Sequence, residues 1–472
     1  MRTNVVPFTS TALAEQQQPS PGEALLQRYQ SALTGVFGTP QAVLVRGSGA
    51  RVWDAEGNEY LDLLGGIAVN ALGHAHPLIS SVISSQQATL GHISNLFTSP
   101  TQIALAEKLL ALASAPEGSS VFFANSGSEA NEAALKAVLR HRAQTGRQRI
   151  LALEGSFHGR TIGALSLTHK PAYREPFGEL VPGVEFLPVN DLAALESAFE
   201  HDDVAGIFLE PIQGEAGVLP LEDAYLLRAR ELTRTHSALL VLDEVQTGIG
   251  RTGEWFRYQA VDGVRASHPP SSTASEDSRE SGLHSAQPGV VGHEVTRTDS
   301  GESARVPEVA VPDLMTLAKG LGSGFPIGAL VSFGQQASTL MGAGQHGTTF
   351  GGNPPATAAA LATLHAIETG GVLENVNAVG AQLASALRAL PQVDQVRQFG
   401  LHIGVDLDVP GVQAPAKELV TIARERHGLI VNATGECTLR LAPPLNLTAE
   451  EAAEAVNRLT AALIDLSGEA PA

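Results

Sequence analysis

Four short apolar runs set the tightest limit on how this chain can fold: "SVFFAN" (120–125), "RILALEG" (149–155), "VAGIFLEP" (204–211) and "ALLVLDEV" (238–245). Each is nearly continuous in apolar residues rather than alternating, and helical patterns fill the stretches between them. Strands of that kind, spaced by helices, predict an α/β fold with a large, mainly parallel sheet covered on both faces. Ligands in such sheets sit beyond the carboxyl ends of the strands. The polar motifs of this chain, "NSGSEAN", "FHGR", "EPIQGE" and "DEVQTG", follow those strand ends.

The 472 residues are enough for more than one domain. A flexible tail is expected over 1–20 and an N-terminal segment of a smaller domain over 21–75. A large domain follows over 76–350, and the smaller α/β domain is completed by 351–472. Within 51–77, "RVWDAEGNEYLDLLGGIAVNALGHAHP" reads as a hairpin turning at Glu56-Gly57-Asn58 and feeding a glycine-rich loop. Residues 263–310 hold nine serines and no Phe, Trp or Tyr. Such a segment buries too little apolar surface to offset its ordering entropy, so a disordered insertion is expected there.

With 30 basic and 49 acidic residues the net charge is −19, which repels nucleic acid and anionic membranes as partners. A single cysteine, Cys437, excludes an internal disulfide framework and suits a reducing compartment. No apolar leader or membrane-length run is visible, so a cytoplasmic protein is expected.

"LLVLDEVQTGIGRTG" (239–253) contains glycines at 248, 250 and 253 in dinucleotide-binding spacing. That fingerprint needs its first glycine at the strand end, opening a helix. Here Asp243 to Thr247 intervene, and "GRTGEWF" begins no amphipathic helix. A phosphate-binding loop of the nucleotide hydrolases is also excluded, because none of the five lysines precedes a Ser or Thr. "GHAHP" sets His74 and His76 two apart, but no further ligand cluster follows and no metal is expected. What remains is a carboxylate, Asp243, at a buried strand end, and Lys319 between an apolar run and a glycine-rich stretch. That setting desolvates an amine and favours its nucleophilic form. Ser126 and Glu129 have the spacing of a capping box, which leaves free amides around Gly127 and Ser128 for a phosphate. Together the three elements suit pyridoxal 5′-phosphate, which needs a lysine for its aldehyde and a carboxylate for its ring nitrogen.

The ordered motifs "LLGGIAVNALGHAHP", "NSGSEANEAALK", "FHGRT", "EPIQGEAGV", "LDEVQTGIGRTG", "LAKGLGSGFPIGA" and "HGTTFGGNP" resemble those of the class III aminotransferases, pyridoxal-phosphate enzymes of fold type I. The resemblance covers about residues 25–260 and 311–465. It implies that Lys319 bonds the cofactor and moves the proton, while Asp243 pairs with the ring nitrogen. Phe157 and Val245 would enclose the ring, Gln246 would bond its phenolic oxygen, and Gly127 and Ser128 would bind the phosphate. Thr349 would join them from the other subunit of a homodimer. Glu244 is counted among the cofactor-binding residues, although it and Glu210 also read as ordinary carboxylates. Arg160 would clamp a substrate carboxylate, Thr348 and Ile67 would line the substrate pocket, and Arg440 would bind the second carboxylate of 2-oxoglutarate, with Glu215 as its alternative partner. The activity implied is transfer of the terminal amino group of N-acetylornithine to 2-oxoglutarate. Other ω-amine donors (ornithine, 4-aminobutyrate, succinyldiaminopimelate, lysine-precursor semialdehydes), a racemase on the same fold and a non-catalytic cofactor-binding regulator stand as alternatives.

Overall fold

A computed structural model describes residues 19–261 and 310–468. The serine-rich segment and nearly all of the expected tail therefore lie outside the described residues. The centre is a seven-stranded sheet in the order Ser120–Ala124, Gly328–Ser332, Leu314–Leu317, Leu239–Asp243, Val204–Leu209, Arg149–Leu153, Val184–Leu187. It is mainly parallel, as expected; the exception is Gly328–Ser332, antiparallel to both neighbours. Val204–Leu209 and Leu239–Asp243 are buried at every position. A strand covered on both faces has no solvent side to supply a polar alternation, which accounts for the continuous apolar runs.

Helix Gly127–Thr145 packs over Gly328–Ser332 and Leu314–Leu317. Its buried face is Ala130, Ala133, Ala134, Leu135, Ala137 and Val138, small enough at most positions to bring the helix close to the sheet. Gly146 ends it at φ 77°, the left-handed conformation that a terminating glycine adopts without strain.

Arg51–Asp54 and Glu59–Asp62 form the expected hairpin, and Leu429–Ile430 joins its far side in parallel. Asp62 then organises the glycine-rich loop that follows. Its carboxylate accepts from the amides of Leu64 and Gly65, each at 2.9 Å, and from His74 Nε2 at 2.8 Å. His74 is thus a loop anchor. A second four-stranded sheet, Val393–Phe399, His402–Leu407, Thr438–Leu441 and Asn432–Ala433, carries Arg440 opposite Gly404 and Asn432. Past Asp243 the chain coils into a turn, with Ile249 N–H donating to the Trp255 carbonyl at 2.7 Å and Gly250 and Gly253 at φ 84° and 87°. No helix starts there, so the glycine spacing has no dinucleotide role. Among the described residues no helix is long and apolar enough to cross a membrane.

Candidate active site

The ends of Ser120–Ala124, Arg149–Leu153, Val204–Leu209, Leu239–Asp243 and Leu314–Leu317 converge on one cavity of about 330 Å³. Asp243 and Lys319 both line it, with Gly127, Ser128, Phe157, Glu215, Val245 and Gln246. Positions spread over much of the chain become one site because parallel strands deliver all their carboxyl ends to the same edge.

Asp243 is 4% exposed and fully engaged. Its Oδ2 accepts from Asn131 Nδ2 and from His158 Nδ1, both at 2.7 Å, and its Oδ1 accepts from the Val245 amide at 3.0 Å. Asn131 is itself fixed, because Thr316 Oγ1 donates to its Oδ1 at 2.9 Å. Burial works against a charged His158, yet the hydrogen bond and charge of Asp243 raise its pKa above the ordinary value. A carboxylate held by three donors keeps a fixed orientation at the cavity wall.

Lys319 follows the strand Leu314–Leu317 at φ 42°, a left-handed conformation unusual for a side-chain-bearing residue. Burial pushes its amine down to about 8, with Arg440 adding to the effect and Glu215, Asp243 and Glu210 opposing it. Glu210, fixed by the Phe157 amide at 2.8 Å, is pushed up to about 7 chiefly by burial.

Helix Gly127–Thr145 begins at the cavity wall. Ser126 Oγ accepts from the Glu129 amide at 3.2 Å, as the capping spacing predicts. The return bond is displaced by one residue: Glu129 Oε2 accepts from the Asn125 amide at 2.8 Å instead of from Ser126. The amides of Gly127 and Ser128 have no acceptor within the helix, as at any helix start. A Cβ on Gly127 would stand 2.8 Å from Val245 Cγ1, so only glycine lets the helix start approach this wall. Free amides, a desolvated amine and an anchored carboxylate around one cavity form the donor set that pyridoxal phosphate requires.

Other expected residues fall differently. Arg440, 1% exposed, reaches Glu215 Oε1 at 2.5 Å and Asn432 Oδ1 at 2.8 Å, with Gln246 Oε1 at 3.4 Å. Arg160 is exposed and stacks on the Tyr173 ring at 3.3 Å rather than lining the cavity. Ile67 is 40% exposed at φ 65°, while Val69 of the same loop lines the cavity. Thr348 and Thr349 do not line it within one chain; Thr348 Oγ1 accepts from Asn125 Nδ2 at 2.9 Å and Thr349 is exposed. Glu244 is fully buried; its carboxylate accepts from the Tyr258 amide at 2.9 Å and pairs with Thr247 Oγ1, holding the turn. The reason is directional: adjacent residues at a strand end point to opposite faces. His158 and Asn131 are site residues that the sequence reading missed, and Glu210, read there as an ordinary carboxylate, lines the cavity. His158 lay within the quoted "FHGR", but no sequence signal pairs it with a residue 85 positions away.

A mainly parallel sheet whose strand ends set a lysine, an aspartate and an open helix start around one cavity defines a pyridoxal-phosphate enzyme of fold type I. The chain belongs to the class-III aminotransferases, whose family model matches residues 36–267 and 304–463 and passes over most of the serine-rich segment. It is 44% identical to an acetylornithine aminotransferase of Streptomyces coelicolor, over 90% of this chain and 92% of that one. Among solved structures it is similar to N-acetylornithine aminotransferase from Stenotrophomonas maltophilia (33% identity, TM-score 0.70, covering 92% and 99% of the two chains). It is also similar to ornithine aminotransferase from Toxoplasma gondii, a structure with partial occupancy of PLP (28% identity, TM-score 0.78, covering 95% and 96%).

Proposed function

We propose that this aminotransferase moves the terminal amino group of N2-acetyl-L-ornithine to 2-oxoglutarate, giving N-acetyl-L-glutamate 5-semialdehyde and L-glutamate. The observation that carries the reading is the buried Arg440, held by a half-exposed carboxylate at the cavity edge. An enzyme that alternates between a donor with one carboxylate and an acceptor with two needs a cation that can be covered or uncovered. Glu215, 40% exposed at its side chain, is free to swing away; Arg440 is fixed in a strand.

Pyridoxal phosphate, once bound, supplies an electron sink beside the carbon that bears the transferred nitrogen. The chain's residues do the rest. Gly127 and Ser128 would receive the phosphate on their amides, and Asp243 would hold the proton on the ring nitrogen. Phe157 and Val245 would enclose the ring, and Gln246 would bond its phenolic oxygen. Lys319 would hold the cofactor and serve as the base that moves the substrate-carbon proton; an amine lowered to about 8 is near the working pH that such a base requires. Arg160 leaves Tyr173 to clamp the α-carboxylate in a bidentate pair. Thr349 completes the phosphate site of the partner subunit in a homodimer. Phe350, Leu96 and Phe97, 59%, 86% and 71% exposed, give the subunit an apolar surface that association would cover. The single cysteine and acidic surface fit a cytoplasmic enzyme.

Ile67 sets the donor preference. Its side chain packs against a neutral acetamido group but leaves a free α-ammonium unpaired, which costs about 1–3 kcal/mol. With 2-oxoglutarate as acceptor, kcat/KM for N-acetylornithine should exceed that for ornithine by ~10–100-fold. 4-Aminobutyrate, without an α-carboxylate for Arg160, should be poorer still. Side-by-side kinetics decide: equal or reversed preference removes the acetylornithine reading and leaves an ω-aminotransferase. Deleting 265–308, which offers no apolar anchor for a lid, should leave kcat/KM within a few-fold; a large loss in a folded variant would make the segment functional.

A further inference from the structure

Thr349 sits in a loop whose internal bonds close only its ends, Gly342 with Gln345 (the Gly342 amide to Gln345 Oε1 at 2.8 Å) and Phe350 with Asn353 (Asn353 Nδ2 to the Phe350 carbonyl at 2.8 Å). Gly342, Gly344 and Gly347 precede it, and a Cβ on Gly344 or Gly347 would meet nothing within 4 Å. Between those two closures, side chains from other elements tie the loop down. Asn95 Nδ2 donates to the Thr348 carbonyl at 3.0 Å, and Asn125 Nδ2 donates to Thr348 Oγ1 at 2.9 Å. On the other side Lys136 Nζ donates to the Gln345 carbonyl at 2.9 Å and to His346 Nδ1 at 3.1 Å, while the His346 ring lies on Phe122 at 4.9 Å. Lys136 lies on helix Gly127–Thr145. It is exposed, yet its ammonium spans the two residues that lead into the Gly347–Phe350 turn.

Lys136 stands nine residues beyond Gly127 in the helix whose first amides face the cavity, a distance of about 13 Å along the axis. That is too far for it to touch a phosphate in its own subunit. Burial and the Lys136 charge lower the His346 pKa, keeping an imidazole that accepts the ammonium proton. Thr349, between the tethers and the exposed Phe350, faces outward with no hydrogen bond among the described residues.

We propose that Lys136 is a positioning residue acting in trans: through Gln345 and His346 it fixes the loop so that Thr349 reaches the cofactor phosphate of the partner subunit. The inference rests on the shared-site reading above. Lys136→Met keeps most of the aliphatic stem and removes the donors. Because a charge-assisted hydrogen bond at an exposed site is discounted by solvent, the homodimeric variant should hold pyridoxal phosphate ~5–10-fold less tightly.

Two heterodimers test the direction of the effect. In a dimer of one Lys136→Met subunit and one Lys319→Ala subunit, the site that keeps Lys319 receives an intact loop. Its cofactor retention and per-site turnover should equal the wild type. With both substitutions in one subunit and a wild-type partner, the site that keeps Lys319 receives the untethered loop and should show the full ~5–10-fold loss. Equal losses in both arrangements, a loss only in the first, or no loss in the homodimer would overturn the proposal. Thr349→Ala in the same two arrangements separates the premises. If Thr349→Ala acts in trans and Lys136→Met does not, the inference fails alone; if Thr349→Ala acts within its own subunit, the shared-site reading fails and this inference with it.

Discussion

Replacing Lys319 with alanine is expected to leave a folded protein that still binds pyridoxal phosphate but has lost turnover by at least ~10²–10⁴-fold, the usual contribution of a positioned acid–base group. Binding survives because the free amides at Gly127 and Ser128 and the anchored Asp243 carboxylate are separate from the amine. Turnover fails because no other lysine lines the cavity among the described residues. Borohydride reduction of the holoenzyme should attach the cofactor at Lys319. Label on Lys108, Lys136, Lys170 or Lys417 would remove the assignment. Because burial lowers the amine to about 8, its neutral fraction grows as pH rises toward and past 8. Reloading of apoenzyme should accelerate over the same range; a rate flat from pH 6 to about 9 would contradict a desolvated lysine.

Asp243→Asn should bind the cofactor and retain the fold, with kcat reduced by roughly 10²–10³, equivalent to about 2.7–4 kcal/mol of lost electrostatic stabilisation. An amide of the same shape cannot hold a proton on the ring nitrogen by charge. The variant has a second, independent readout. The His158 pKa is raised by Asp243 against the effect of burial, so removing the charge should lower it, visible in the imidazole resonances. Near-normal kcat with an unchanged His158 titration would show that Asp243 neither carries the charge nor faces the ring.

Much of the site was legible because its parts are local. The cap at Ser126, the buried end of Leu239–Asp243 and the apolar-to-glycine step around Lys319 each follow from a few adjacent residues. The turn chemistry of Glu56-Gly57-Asn58 is equally short in range, with Asp54 Oδ1 accepting from the Glu56 and Asn58 amides at 3.1 and 2.8 Å. Side-chain direction was not legible in the same way. Glu244 is next to Asp243 in sequence and on the opposite face in space. Arg160 lies in the expected motif, and only the structure shows that its guanidinium rests on Tyr173.

By itself, the sequence determined that the chain builds a mainly parallel sheet with its chemistry at the strand ends. Continuous apolar runs separated by helices leave few other ways to bury those strands. Only the tertiary structure decided that Asn131 and His158 meet on one carboxylate oxygen and that Lys136 ties down the loop bearing Thr349. Those contacts join residues from different elements. Hydrogen bonds between them depend on where packed strands and helices place side chains to within an ångström, and no local pattern of residues encodes that distance.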